Sequence, residues 1–487
     1  MKPIKKLLSF AFADGGSLTS RVMRSGLWVG LAEVGMQSTN IVRSIVLARL
    51  LTPEMFGLMG LAMVVVRAVE TFTRPGIAQA LIAIPAGFEE RKDTAFTLLV
   101  IRGIILSLLL IVAAPWIADF YDRKDLQTVL IALSATFAIG GFANINTIAR
   151  QRDLDFRRLT YLSQSTLLLG TAITIVMAFW TRDVWALVVG QLAGAVLAAA
   201  LSYAFVPGRL SFAYDHAVAR DLLRYGKFVT GSSILLYIAA ELDSATIAKV
   251  LDFEQLGFYA LAFTTASLVT SNISRAAASI MMPAYSTLQT DLPALRHAYL
   301  RTISFVFLPI FPATAGVIIL APLLIEVVYG AKWLPAAVPL QILAVFGLLR
   351  ALAGFSGYLF EGIGKPGIAF KLAAVRLAIV APLIVPVTIK FGLVGAAATV
   401  TLGMAAYWVV SLFALHATIG VSAMQVFRSV QRSVWTTAVM AGAIVLLRYL
   451  WPSHSLLALA TAIGVGVAIY GALNFRVITE AAKTFRK

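Results

Sequence analysis

The sequence predicts an all-α polytopic membrane protein of about fourteen transmembrane helices. They are expected as two six-helix lobes related by a parallel pseudo-two-fold repeat, with two further C-terminal helices. Three observations carry this expectation. The first is composition: of 487 residues, 60% are hydrophobic and only 13% charged, and mean hydropathy is +0.88. A soluble domain runs at about 45–50% apolar and about 25% charged, so the surplus apolar surface requires lipid as its solvent. The second is a succession of span-length apolar stretches with short connections. The third is an internal repeat at an interval of 200 residues.

A crossing helix needs about 20 predominantly apolar residues. Such stretches lie near 26–48, 55–80, 94–118, 127–149, 160–180, 184–206, 228–249, 256–282, 302–328, 335–360, 368–389, 391–416, 433–451 and 455–475. Backbone groups in hydrocarbon must bond within their own segment, so a helical bundle follows. The expected organisation is an amphipathic cytoplasmic N-terminus over 1–25, an N-lobe of six helices over 26–207 and a cytoplasmic linker at 208–227. A C-lobe over 228–416, two last helices over 417–475 and a cytoplasmic tail at 476–487 complete it. Met1–Ala13 has the basic start of a signal peptide, but its apolar run before Asp14-Gly15-Gly16 is minimal. It reads instead as an amphipathic segment on the inner surface. Pro75, Pro309, Pro312, Pro382 and Pro386 fall inside spans, where they are compatible with bends.

The formal charge of +17 invites a nucleic-acid partner, until the charges are located. With the N-terminus inside, twenty-five Lys and Arg fall in inner segments and eight in outer ones. The positive-inside bias then places both termini in the cytoplasm, and most of the basicity is topological. What remains is Arg43, Arg67, Arg74, Arg102, Arg275, Arg350 and Arg376, all within spans and all arginine. Intramembrane charge is costly and marks a functional cavity by default. The competing reading, strongest for Arg74, Arg102 and Arg376, is that side chains near helix ends snorkel to the headgroups. The chain has no cysteine, and His216, His297, His416 and His454 have no metal-ligand spacing, so no cofactor or metal site is expected.

Ser44–Ala62 and Ser244–Ala262 align without a gap. Ser44, Ala48, Leu51, Glu54, Gly57, Leu61 and Ala62 recur as Ser244, Ala248, Leu251, Glu254, Gly257, Leu261 and Ala262. An even number of spans per copy puts both copies the same way up, with a cavity expected between lobes. At about 100° per residue, Glu33, Gln37, Asn40, Arg43 and Ser44 share a side of the first span, and Arg67, Glu70, Thr71 and Arg74 share one of the second. The seventh span aligns Ser233, Tyr237, Glu241 and Ser244, with Asp243 across the helix; the eighth aligns Thr264, Ser267, Ser271, Ser274 and Arg275. These four helices correspond pairwise under the repeat. Their stripes predict a polar interior, against the alternative of polar glue between helices.

Other motifs carry no chemistry. Gly362-Ile363-Gly364-Lys365-Pro366-Gly367 has the dinucleotide spacing but joins two membrane helices and contains a proline, so it reads as a turn. Asp153-Leu154-Asp155 has the form of a glycosyltransferase metal motif, in a loop too short for a nucleotide-binding domain. Gly190 and Gly194 form a small-xxx-small pair, read as packing within the bundle.

Leu47-Ala48-Arg49-Leu50-Leu51-Thr52-Pro53-Glu54-Met55-Phe56-Gly57 resembles the first outer loop of the Wzx-type polysaccharide flippases of the multidrug/oligosaccharidyl-lipid/polysaccharide (MOP) superfamily. Arg152-Asp153-Leu154-Asp155-Phe156-Arg157-Arg158, Tyr329-Gly330-Ala331-Lys332-Trp333-Leu334-Pro335-Ala336-Ala337 and Phe391-Gly392-Leu393-Val394-Gly395-Ala396-Ala397 extend the resemblance along most of the chain. It implies a non-enzymatic carrier, multi-pass in a bacterial inner membrane. Its cargo would be undecaprenyl-diphosphate-linked oligosaccharide, moved from the cytoplasmic to the periplasmic leaflet, with a polymerase and export machinery as further partners. Arginine matches phosphate oxygens as a planar fork. The expected diphosphate and sugar residues are Arg43, Arg67 and Arg275, with Arg74, Arg350, Asn40, Gln37 and Ser271 beside them. Glu33, Glu70, Glu241 and Asp243 are expected to balance the empty site or take a coupling ion. The rivals are a lipid II flippase, a MATE-like cation-coupled antiporter and, from another class, a membrane polymerase or ligase. A cationic interior suits the antiporter's cargo poorly, and the outer connections are too short for catalytic domains.

Overall fold

A computed structural model of the chain describes residues 18–73, 76–83, 87–153 and 155–484; side chains at some helical positions, Ser233, Ser271 and Arg275 among them, lie outside that description. The expected N-terminal segment Met1–Ala13 lies outside it too, as do Arg74 and Pro75. By contact the chain divides into two units, Met1–Glu241 and Leu242–Lys487.

The first unit contains α1 (Leu18–Leu50), α2 (Pro53–Phe72), the short α3 (Ile77–Ala83), α4 (Phe88–Phe120), α5 (Lys124–Gly141), the short α6 (Asn146–Arg152), α7 (Phe156–Thr181) and α8 (Trp185–Phe205). Helix α9 (His216–Val250) begins in this unit and its last turns belong to the second. The second unit continues with α10 (Phe253–Thr287) and α11 (Leu292–Leu324), then a π-helical turn Ile325–Tyr329 and a 3₁₀ segment Ala331–Ala336. It ends with α12 (Ala337–Gly362), α13 (Pro366–Ile419), α14 (Ala423–Leu450) and α15 (Leu456–Thr484).

Among the described residues nine helices are long and apolar enough to cross a membrane, or ten if the bent pair α5–α6 is one span. The long helices α1, α9 and α10, which carry three of the polar stripes, are not among the nine. Helix α13 counts once, yet its 54 residues are interrupted at Gly392, where φ is 59° and ψ −144°. Each piece exceeds the about 20 residues that a crossing requires. The helical, polytopic class read from the sequence is thus what the chain adopts. Lipid-facing positions are correspondingly apolar: Ile104, Ile105, Leu108, Leu109 and Val112 of α4 are exposed. Near helix ends stand exposed Trp116, Trp180 and Tyr449, amphipathic rings of the kind that settle at the headgroup level.

The repeated segment builds the same corner in each unit. Leu51 N–H donates to Leu47 O at the end of α1, and Leu251 N–H to Ile247 O at the end of α9. Thr52 and Asp252 then cap the next helix, accepting from Met55 N at 3.4 Å and Gln255 N at 2.6 Å. Such caps satisfy amide groups that the first turn leaves open. Glu54 and Glu254 sit in those first turns, where negative charge opposes the helix dipole favourably. Gly57 and Gly257, Leu61 and Leu261, Ala62 and Ala262 are all buried. The matched residues of the repeat therefore serve one local purpose twice.

Two details depart from the sequence expectation. The stretch 127–149 was expected as one span; instead α5 ends at Gly141 and α6 resumes at Asn146, bent by 64°. Buried Asn144 supports the break: its amide N–H donates to Ser202 Oγ at 2.9 Å, its Nδ2 donates to Val206 O at 2.5 Å, and its Oδ1 accepts from Asn146 N at 3.0 Å. A break at membrane depth is tolerated when protein groups take up the freed backbone in this way. Pro309 and Pro312 lie within an uninterrupted α11, and Pro382 and Pro386 within the first piece of α13, so the interruption falls at Gly392 instead. The Gly362–Gly367 segment is the turn into α13, with Gly364 at φ 73° and Pro366 opening the helix. Gly190 packs α8 against α7, where a Cβ would stand 2.0 Å from Thr174 Oγ1.

Candidate functional site

The polar stripe of α1 is half-buried throughout: Glu33, Gln37, Asn40, Arg43 and Ser44 are all of intermediate exposure. Gln37 Nε2 donates to Glu33 Oε1 at 2.9 Å across one turn. Helix α1 packs on α7, and Gln164 Nε2 of α7 donates to Ala32 O at 2.7 Å. The side chain of Arg43 forms no hydrogen bond or ion pair with the described residues, so its five donors remain available within the span.

On α2, Arg67 meets α9. Its Nη1 lies 3.4 Å from Glu241 Oε1, with the arginine side chain 54% exposed and the carboxylate 20%. One turn earlier on both helices, Tyr237 Oη donates to Val64 O at 2.5 Å. The Tyr237 ring meets Phe72 edge-on, centroids 5.8 Å apart. The periodicity that placed Tyr237 and Glu241 on one face of the seventh span thus describes a real face, turned toward α2.

Beside this junction is a cavity of about 320 Å³ within the first unit, lined by Arg67 and Glu70 of α2, Arg102 of α4, Thr136 of α5 and Gln191 of α8 among apolar neighbours. Arg102 did not belong to a predicted stripe. Its Nε donates to Thr73 O at 3.1 Å, and its Nη2 to Glu70 O at 3.0 Å and Thr73 Oγ1 at 3.1 Å. These acceptors close the C-terminal end of α2, where carbonyls lack partners within the helix. Gln191 and Thr136 were also missed. Each is a polar residue in a stretch of otherwise apolar sequence, and that isolation was the available signal.

In the second unit Asp243 is buried, and its Oδ2 accepts the Tyr259 hydroxyl at 2.5 Å while its Oδ1 accepts Ser244 N–H at 2.8 Å. Arg350 of α12 donates from Nη2 to Ser267 Oγ of α10 at 3.3 Å. Its guanidinium also lies over the rings of Phe263 and Phe346, 5.8 and 5.5 Å from their centroids. Arg376 of α13 stands over the same Phe346 ring at 5.6 Å, with its Nε buried and lacking a hydrogen bond. Aromatic faces hold cations where water is scarce, so Arg376 is retained inside the unit and does not snorkel. The aromatic partners were invisible to a search for polar stripes.

A second cavity of about 660 Å³ lies in this unit among Leu308, Pro312 and Gly316 of α11, Met440 and Ile444 of α14 and Tyr470 of α15. Its walls are almost wholly apolar side chains, and the Tyr470 hydroxyl is turned away to Leu308 O at 2.7 Å. Before α5 and outside the spans, Arg123 pairs with Asp125 at 2.6 Å and Glu54 at 2.8 Å. The Asp125 hydrogen bonds, with Glu54 beside them, push the guanidinium pKa up.

The structure therefore pairs Arg67 with Glu241, sets Glu70 in the same cavity wall as Arg67, links Gln37 to Glu33 and gives Arg350, Arg376 and Asp243 partners inside the second unit. Arg74 lies outside the described residues, as do the side chains of Ser271 and Arg275. Together the apolar helices and their embedded arginines define a multi-pass helical membrane protein of the transporter kind. The chain belongs to the polysaccharide biosynthesis protein family, which matches residues 46–338. This bears out the resemblance to Wzx-type members of the MOP superfamily.

The chain is 26% identical over 392 residues to the lipopolysaccharide biosynthesis protein WzxC of Escherichia coli, covering 80% of this chain and 78% of that one. It is 23% identical over 356 residues to the teichuronic acid biosynthesis protein TuaB of Bacillus subtilis, covering 73% and 74%. Among solved structures, the lipid II flippase MurJ in its inward closed conformation matches with a TM-score of 0.78 at 13% identity, over 94% of this chain and 99% of that one. That likeness is one of fold.

Proposed function

We propose that the protein is a flippase for undecaprenyl-diphosphate-linked oligosaccharide repeat units. It carries them from the cytoplasmic to the periplasmic leaflet of a bacterial inner membrane by alternating access through a cationic central cavity. Both termini are cytoplasmic, and a polysaccharide polymerase and export machinery receive the cargo. The observation that carries this reading is the placement of arginine inside otherwise apolar spans. Among the described residues Arg43 has its donors uncommitted, and Arg67 is bound by one carboxylate contact and borders a cavity that also holds Glu70, Arg102 and Gln191.

A diphosphate cannot enter hydrocarbon bare, and a guanidinium offers it charge and a bidentate fork together. Arg43, Arg67 and Arg275 are assigned to the diphosphate, with Arg74 and Arg350 supporting. Asn40, Gln37 and Ser271 supply hydrogen bonds to sugar hydroxyls, and Glu33, Glu70, Glu241 and Asp243 balance charge or take a coupling ion. The prenyl tail needs only apolar surface, of the kind that the 660 Å³ groove of the second unit offers. The cargo leaves with the covalent bonds it entered with.

Single replacements Arg43→Gln, Arg67→Gln and Arg275→Gln, with surface expression verified, are expected to abolish polymer export. Full export by all three variants would overturn the phosphate assignment. Transfer of a defined lipid-linked sugar between leaflets of reconstituted vesicles tests the flippase reading itself, which fails if purified protein leaves that sugar in its original leaflet.

A further inference from the structure

We infer that Glu241 is a stand-in anion, holding the place at Arg67 that the cargo's diphosphate takes, so that binding exchanges one anion for the other. This rests on the assignment of Arg67 to the diphosphate, and it gives Glu241 a task of its own in the cycle.

The first support is the weakness of the pair. A carboxylate matched to guanidinium makes two parallel N–H···O bonds of about 2.7–2.9 Å; here there is one contact, at 3.4 Å. More than half of the Arg67 side chain is exposed, so an incoming anion can reach the guanidinium before the carboxylate departs. The second support is redundancy. Helices α2 and α9 are already fastened one turn away by the Tyr237–Val64 hydrogen bond and the Tyr237–Phe72 ring contact. The ion pair is therefore not what holds these helices together.

The third support is charge. A guanidinium left without an anion at membrane depth is costly, and an exchange never leaves Arg67 in that condition. Before binding, Glu241 neutralises it; after binding, a phosphate oxygen does; on release, Glu241 returns. The cargo thus competes with an internal carboxylate, which lowers its affinity and speeds its departure. Glu70 also borders the cavity that Arg67 lines, but the ion pair is made by Glu241.

The test measures equilibrium binding of inorganic pyrophosphate to the purified full-length protein in lipid nanodiscs. With its competitor removed, the Glu241→Gln variant is expected to bind pyrophosphate about five- to tenfold more tightly than the parent, and to export less polymer because release slows. Glu241→Asp keeps the charge but draws it back by one methylene, so it is expected to raise the affinity by a smaller factor. It serves as the second variant if glutamine is not tolerated. Arg67→Gln should lose the pyrophosphate signal. Unchanged or weaker binding by both Glu241 variants, with Arg67→Gln still losing it, overturns the stand-in role and leaves the phosphate site intact. Binding by Arg67→Gln equal to that of the parent removes the phosphate assignment, and this inference with it.

Discussion

Three of the arginines within the spans, Arg43, Arg67 and Arg102, meet different physical settings, apart from Arg350 and Arg376 over their aromatic rings. Among the described residues Arg43 keeps its donors uncommitted, Arg67 has a single loose carboxylate contact, and Arg102 spends Nε and Nη2 on the end of α2. Only the first two have the chemistry of an exchangeable anion site. Arg102 is a fastening: its removal takes donors from the Glu70 and Thr73 carbonyls at the end of α2. Arg102→Ala is therefore expected to cost about 1–3 kcal/mol, read as a lower melting temperature of the purified protein. Arg102→Lys should recover little of it, because an ammonium group cannot reproduce the planar fork. Arg67→Gln, in contrast, should lose export with little change in melting temperature. Equal melting of the Arg102→Ala variant and the parent would contradict the fastening role.

At the level of elements, the break in α13 shows how backbone conformation alone can divide a membrane helix. Gly392 has φ 59° and ψ −144°, a region that side-chain-bearing residues rarely enter. A Cβ there would meet nothing within 4 Å, so space does not require the glycine; the dihedral angles do. Gly392→Ala is expected to destabilise the protein by about 1–3 kcal/mol despite the open surroundings, measured by thermal melting. A neutral effect would mean that the two pieces can join by another backbone path.

This boundary was legible, since the sequence expectation already ended one span at 389 and began the next at 391. The repeated corner was legible as well, because Thr52-Pro53-Glu54 and Asp252-Phe253-Glu254 carry the cap and first-turn acid in the residues themselves. The partner of Arg67 was not. Periodicity assigns a residue to a face of its own helix, whereas Glu241 lies 174 positions away and is found only when α2 and α9 pack. The Arg102 fastening was hidden for the same reason, and the bend at Asn144 because its supports, Ser202 and Val206, come from a distant helix. The prolines at 309, 312, 382 and 386 stay within continuous helix, since each removes only one hydrogen bond from its own helix and the surrounding bundle tolerates the loss.

For the whole molecule, orientation is the property that sequence expresses most directly and that helix geometry alone does not fix. Cytoplasmic connections retain Lys and Arg during insertion, and the uneven division of twenty-five against eight is too large to reverse by moving any one span. The absence of cysteine makes a direct measurement simple, because a single introduced thiol is the only one in the chain. Ala213, in the segment before α9, and Ala331, after the π-helical turn, are both exposed. The first falls on the expected inner side and the second on the outer. In intact spheroplasts a membrane-impermeant maleimide is expected to label Ala331→Cys and to spare Ala213→Cys until the membrane is opened. The reverse pattern would invert the whole molecule and turn the proposed direction of transport inside out. Labelling of both positions in intact cells would show an even number of crossings between them, where α9, α10 and α11 as three spans require an odd one. The same pair of thiols therefore tests both the orientation and the three crossings by α9, α10 and α11 that separate Ala213 from Ala331.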